Sequence, residues 1–243
     1  MDNVVRRSVT TAPVVSIRQW PPNTTMKSIL IFLISQSILI PLIIGLVRLG
    51  RIGRRYQPFF ILLWTGFFAE LISYYVFIKI AHRSNALPSN IYSLIEWILI
   101  AWQFHVWGLL QTRKKAWWAL VLFVSAIWAT ENLVLGHIFE FPPYFRFFDS
   151  FVIVLLSVNK INFMITHENR NLFRNPQLLI CIGFIIYFIY RIIYEWAYQV
   201  SLSDTTEITS VIISGFAYIN ALTNIIFAIA LLSIPRPQKF ALQ

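Results

Sequence analysis

Long apolar runs separated by short polar stretches dominate the chain. Seven of them, roughly 28–47, 58–80, 90–110, 116–135, 146–166, 177–199 and 208–234, each approach the ~20 mostly apolar residues that a helix needs to cross a bilayer core. None shows the period-two alternation of a barrel wall, so helices are expected throughout. The pattern predicts an all-α, polytopic membrane protein, a seven-transmembrane-helix bundle over residues 28–234 with tails at 1–27 and 235–243. Pro13, Pro21 and Pro22 keep the first tail from forming a long helix. No apolar stretch with a small-residue cleavage site precedes the first run, so the tail is expected to be retained.

Composition points the same way. Of 243 residues, 58% are hydrophobic, 16% aromatic and only 12% charged, against about 25% charged in soluble domains. A soluble core of this size could not hide so many Phe, Trp, Ile and Leu side chains. The runs leave little beyond loops, so no kinase, catalytic or DNA-binding domain is expected, and any signal must leave through a partner. The lone Cys181 excludes an internal disulfide and a Cys-based zinc site. His82, His105, His137 and His167 show no metal-ligand spacing, and neither a phosphate loop nor a nucleophile elbow is present. No metal, cofactor or catalytic group is therefore expected.

The net charge of +10 would suggest nucleic acid in a soluble protein. Here the basic residues fall between the runs, so the expected partner is the lipid bilayer and not nucleic acid. Arg48, Arg51, Arg54, Arg55, Arg113, Lys114, Lys115, Arg170 and Arg174 lie in loops on one face. Lys79, Arg83 and Arg146 lie in loops on the other, and the excess marks the inner side. The N-terminus is thus expected outside and the C-terminus inside, although Arg6, Arg7, Arg18 and Lys27 in the first tail oppose that reading.

Seven ionisable residues fall inside the runs: Glu70, Glu96, Glu131, Asp149, Lys160, Arg191 and Glu195. Each is costly in hydrocarbon and should face the bundle interior. At 1.5 Å per residue, Glu70, Glu96, Glu131 and Arg191 lie roughly 18–23 Å above the inner boundary, with Asp149 and Glu195 slightly further out. That common depth suggests a shared polar site in the outer half. Helical spacing adds neighbours: Gly66, Ser73 and Tyr74 with Glu70; Tyr92 and Gln103 with Glu96; Trp128 and Asn132 with Glu131. Tyr187, Tyr194 and Tyr198 fall on one stripe with Arg191 and Glu195, and Asn220, Thr223 and Asn224 add neutral groups.

Such a carboxylate-rich, aromatic-walled site suits a small cationic ligand or ion. A static network is the competing reading, in which Arg191 bridges Glu96, Glu70 or Glu195 only to hold helices together. Lys160 is expected to snorkel to the inner surface. The tryptophans at 97, 102, 107, 117, 118 and 128 are expected mainly at the lipid-facing or interfacial belt.

The opening of the third run, Asn90-Ile91-Tyr92-Ser93-Leu94-Ile95-Glu96-Trp97, and the Phe- and Tyr-rich runs with short loops carry a family likeness. The chain resembles small uncharacterised seven-helix inner-membrane proteins of Bacteroidota-type bacteria. The resemblance implies a multi-pass inner-membrane protein, with a sensory role among the activities it leaves open. Three functions remain in view: a receptor-like sensor signalling through a cytoplasmic or membrane partner, a small transporter or proton-coupled carrier, and a structural subunit of a membrane complex.

Overall fold

The computed structural model describes residues 34, 36–73, 75, 85–109, 114–167, 175–203 and 207–235. They are 91% helical, with no strand among them. Their α-helices are α1 (Leu39–Val47), α2 (Gln57–Leu71), α3 (Ala86–Val106), α4 (Lys114–Ala129), α5 (Pro143–His167), α6 (Pro176–Ser203) and α7 (Glu207–Ser233). Four segments are long and apolar enough to cross a membrane: Lys114–Val134, Pro143–His167, Pro176–Val200 and Glu207–Ser233. The described apolar stretch at α1 is shorter, Gln36–Val47, α2 has 15 residues, and α3 is interrupted by Asn90, Glu96, Gln103 and His105. Residues 1–27 and 236–243 of the tails, Tyr74, and the loop residues Lys79, Arg83, Arg113, Arg170 and Arg174 lie outside the described residues.

Local chemistry sets the helix ends. Pro58 occupies the first turn of α2, where its missing N–H costs nothing. Asn175 caps α6, its Oδ1 accepting the Gln177 N–H at 2.9 Å. The α3 terminus is a Schellman turn. Gly108 takes φ 85°, its N–H donates to the His105 carbonyl, and the Leu109 N–H donates to the Phe104 carbonyl. Helix α4 runs into a π turn, Thr130–Val134, and stops at Gly136 with φ 77°. Arg48, just after α1, donates to the Leu231 carbonyl at 3.0 Å and to the Leu232 carbonyl, placing a cation on the C-terminal end of α7.

Contacts join α1 to α2, α2 to α3, α3 to α5, α5 to α6, α6 to α7 and α7 back to α1, closing a ring. Helix α4 packs from outside against α3 and α5. The ring's outer surface is apolar, with Phe68, Phe151, Ile189, Ile229 and others exposed, as a bilayer requires. Inside, the rings of Phe59, Phe104, Phe184 and Phe227 meet edge-on or tilted across α2, α3, α6 and α7, with Phe59 and Phe227 centroids 5.0 Å apart. This aromatic layer fills the ring toward the Gln57 end of α2, and the polar residues gather beyond it.

Two sequence expectations are overturned here. Lys160 does not reach the surface: it is buried, and its Nζ donates to the Trp107 carbonyl at 3.1 Å. The end of α3 offers that unpaired carbonyl inside the bundle, so the cation stays within. Nor do the tryptophans form mainly an outer belt. Trp97, Trp107, Trp117 and Trp128 are buried, while Trp102 and Trp118 face outward. The indole N–H groups of Trp107 and Trp128 donate to the carbonyls of Arg55 and Asn90, respectively.

Candidate functional site

A cavity of about 440 Å³ opens beyond the aromatic layer, between α2, α3, α6 and α7. That falls within the ~300–1,000 Å³ typical of small-molecule sites. From α2 and the π turn after it come Gly66, Glu70 and Ser73; from α3, Tyr92 and Glu96; from α6, Tyr187; from α7, Asn220, Thr223 and Asn224. Gly66 lets α2 approach Tyr92 closely: a Cβ there would lie 3.1 Å from the Tyr92 Oη and 3.0 Å from the Ile38 Cδ1, so both side chains would have to shift slightly. Past Gly66 the α2 backbone widens to π geometry at Ile72 and Ser73, a distortion that recurs at functional sites.

The α3, α5 and α6 side carries a buried ion network. Arg191 Nη1 donates to Glu96 at 2.5 Å, and Arg191 Nη2 stands 3.8 Å from Asp149. Tyr92 Oη donates a long bond, 3.4 Å, to the same Glu96. Next to them Arg146 Nη1 meets Glu195 at 3.2 Å, and its Nη2 donates to Ser89 at 2.7 Å and Asn90 at 3.0 Å. Asn90 in turn donates to the Ile138 and Glu140 carbonyls, fixing the loop that leads into α5. Four carboxylates (Glu70, Glu96, Asp149, Glu195) thus face two guanidiniums. Glu70 is the one left without an ion pair among the described residues, and its Oε2 is buried with no hydrogen-bond partner.

The sequence-based site residues divide into two groups. Glu70, Tyr92, Glu96, Tyr187, Arg191, Tyr194, Glu195 and Asn220 come together on the cavity walls, and Asp149 stands directly behind Arg191. Three others are brought to helix ends or seams instead. Glu131 accepts the Tyr144 and Phe145 N–H groups at 3.0 and 2.7 Å, capping α5. Gln103 accepts the Phe59 N–H at 2.8 Å and donates to the Arg55 carbonyl at 2.7 Å, tying down the start of α2. Trp128 is bonded to the Asn90 carbonyl. Tyr74 lies outside the described residues.

Arg146 is the site residue that sequence reading misses, because it sits at a run boundary and resembles a loop charge. Its signal is the stripe Arg146, Asp149, Ser150, Ile153, Ser157, Lys160, every member of which is buried.

The fold and site define a multi-pass membrane protein with a polar cavity inside its helical ring. Comparison of the chain with protein-family models, with curated proteins and with solved structures finds no match in any of the three.

Proposed function

We propose that this protein is a seven-helix, receptor-like sensor that binds a small organic cation in the cavity beside Glu70 and signals through a separate partner. The observation that carries the reading is an asymmetry. Glu96, Asp149 and Glu195 each have a guanidinium within reach, whereas Glu70 lines the cavity and keeps one buried carboxylate oxygen without a partner among the described residues. An ammonium group supplies what that oxygen lacks, and the Tyr92 and Tyr187 rings in the same walls favour a cation. Orientation with the N-terminus outside, placement in a bacterial inner membrane and membership of the seven-helix family belong to the same proposal and rest on loop charge and sequence likeness. Arg54, Arg55, Lys114 and Lys115 are exposed on one end of the bundle and offer an acidic partner its docking charge.

Thermal unfolding of the purified protein in mild detergent, with and without pentylamine, tests the reading. Stabilisation is expected in the wild type and not in Glu70→Gln. No stabilisation of the wild type would end it. Uptake of the amine into proteoliposomes at rates abolished by Glu70→Gln would move the protein to the carrier class.

A further inference from the structure

The cavity beside Glu70 has a second chamber. A space of about 270 Å³ adjoins it toward α5 and the far end of α6. The two share Asn85, Ser89, Tyr92, Glu96, Tyr187 and Phe216 as lining, so they meet along a waist that is half aromatic and half polar. Their chemistry differs. The first chamber holds the uncommitted Glu70 carboxylate and a buried Thr223 hydroxyl with no partner among the described residues. The second is walled by Arg146, Arg191, Glu96 and Glu195, whose ions already meet one another.

What the second chamber has to spare is a donor. Arg146 is only 7% exposed. Its two terminal nitrogens are committed to Glu195, Ser89 and Asn90. Its Nε–H is buried and meets no acceptor among the described residues. A guanidinium N–H can only donate, and an orphaned buried donor is costly, so the site asks for an acceptor atom there. A second ammonium does not suit this chamber, since both of its carboxylates already accept from arginine. An anion alone does not suit the first, where Glu70 would repel it.

We infer that the two chambers form one binding tract for an amine that carries a carbonyl or carboxylate acceptor at its far end. The ammonium sits at Glu70, the chain passes the waist at Tyr92, Tyr187 and Phe216, and the acceptor takes the Arg146 Nε–H. This rests on the amine reading of the first chamber and adds the second recognition point.

The test is a thermal-shift titration of the purified full chain in detergent. The probes are ω-amino acids of three to seven carbons, their amides, and the matching alkylamines and diamines. At one chain length the amino acid or its amide should half-saturate at a concentration about tenfold below the alkylamine, the increment of one charge-assisted hydrogen bond. The diamine should show no such gain. Comparison of acid with amide decides between a carboxylate and a neutral carbonyl. Arg146→Lys keeps a cation for Glu195 while removing Nε, and should erase the gain, so that within this variant the amino acid or amide and the alkylamine half-saturate at the same concentration. Alkylamine binding with no gain at any length overturns the two-chamber tract and leaves the amine site standing, and the wild-type series settles this even where the variant does not fold. A gain that survives in Arg146→Lys overturns the assignment to Arg146. No response to any amine overturns both readings.

Discussion

The two sides of the central cavity handle buried polarity in opposite ways. On the α3, α5 and α6 side, carboxylates and guanidiniums alternate, and second contacts from Ser89, Asn90, Tyr92 and Ser150 hold them in place. On the α2 and α7 side, Glu70 keeps an unmet oxygen and Thr223 an unmet hydroxyl, while Asn224 reaches Ser37 and Asn220. Charge is present on both sides, yet only on the first is every carboxylate within reach of a guanidinium, even though Arg146 Nε and Asp149 Oδ2 there still lack a hydrogen-bond partner among the described residues. Intramembrane charge by itself therefore does not mark a binding site, and the amine reading proposed above rests on incomplete pairing beside open space.

The largest expected effect lies on the paired side. Arg191→Gln strands Glu96 and Asp149 together, and should cost about 3–5 kcal/mol in reversible unfolding in detergent. The Glu96→Gln, Arg191→Gln double variant should lose less than the sum of the singles. Strict additivity would show that the two are not coupled and would dissolve the contrast between the sides.

Next come the polar residues spent on helix ends. Glu131→Ala should cost about 1–2 kcal/mol through loss of the α5 cap. Gln103→Ala should cost about 1–3 kcal/mol by leaving the Phe59 N–H unmet. Neither should shift the midpoint of an amine titration, and a shift at Gln103 would extend the site past the aromatic layer. Smallest is Glu70→Gln, expected within about 0.5 kcal/mol of wild-type stability while its amine response disappears. A collapse of folding in Glu70→Gln would place Glu70 with the structural ions and remove the contrast.

Much of the site was legible in sequence where one helix carries it. Tyr187, Arg191, Tyr194, Glu195 and Tyr198 recur at helical spacing, and all five line one chamber. Asn220, Thr223 and Asn224 likewise reach one cavity. Their facing direction follows from backbone periodicity alone. Gln103 and Glu131 show where periodicity stops being enough. Both point inward as expected, but their partners are the N–H groups that open α2 and α5. An inward polar group is claimed by whichever unmet backbone lies closest, and that depends on how neighbouring helices end. Arg146 escaped notice for a related reason: an arginine at a run boundary reads as solvent-exposed until packing encloses it. The all-helical, membrane-embedded character was plain from the apolar runs, whereas the ring order and the outer position of α4 come from packing between distant segments.

The π turn at Thr130–Val134 couples α4, outside the ring, to the inner cavity. A π turn accommodates one residue more than the α-helical repeat. It positions Glu131 to cap α5 at Tyr144 and Phe145, the two residues just before Arg146. Deleting one residue there would wind the segment back to α geometry and turn the residues beyond the deletion by about 100° relative to α4. The outermost helix therefore works as an indexing peg: its register sets the seat of α5, and with it the aim of the arginine at the inner chamber.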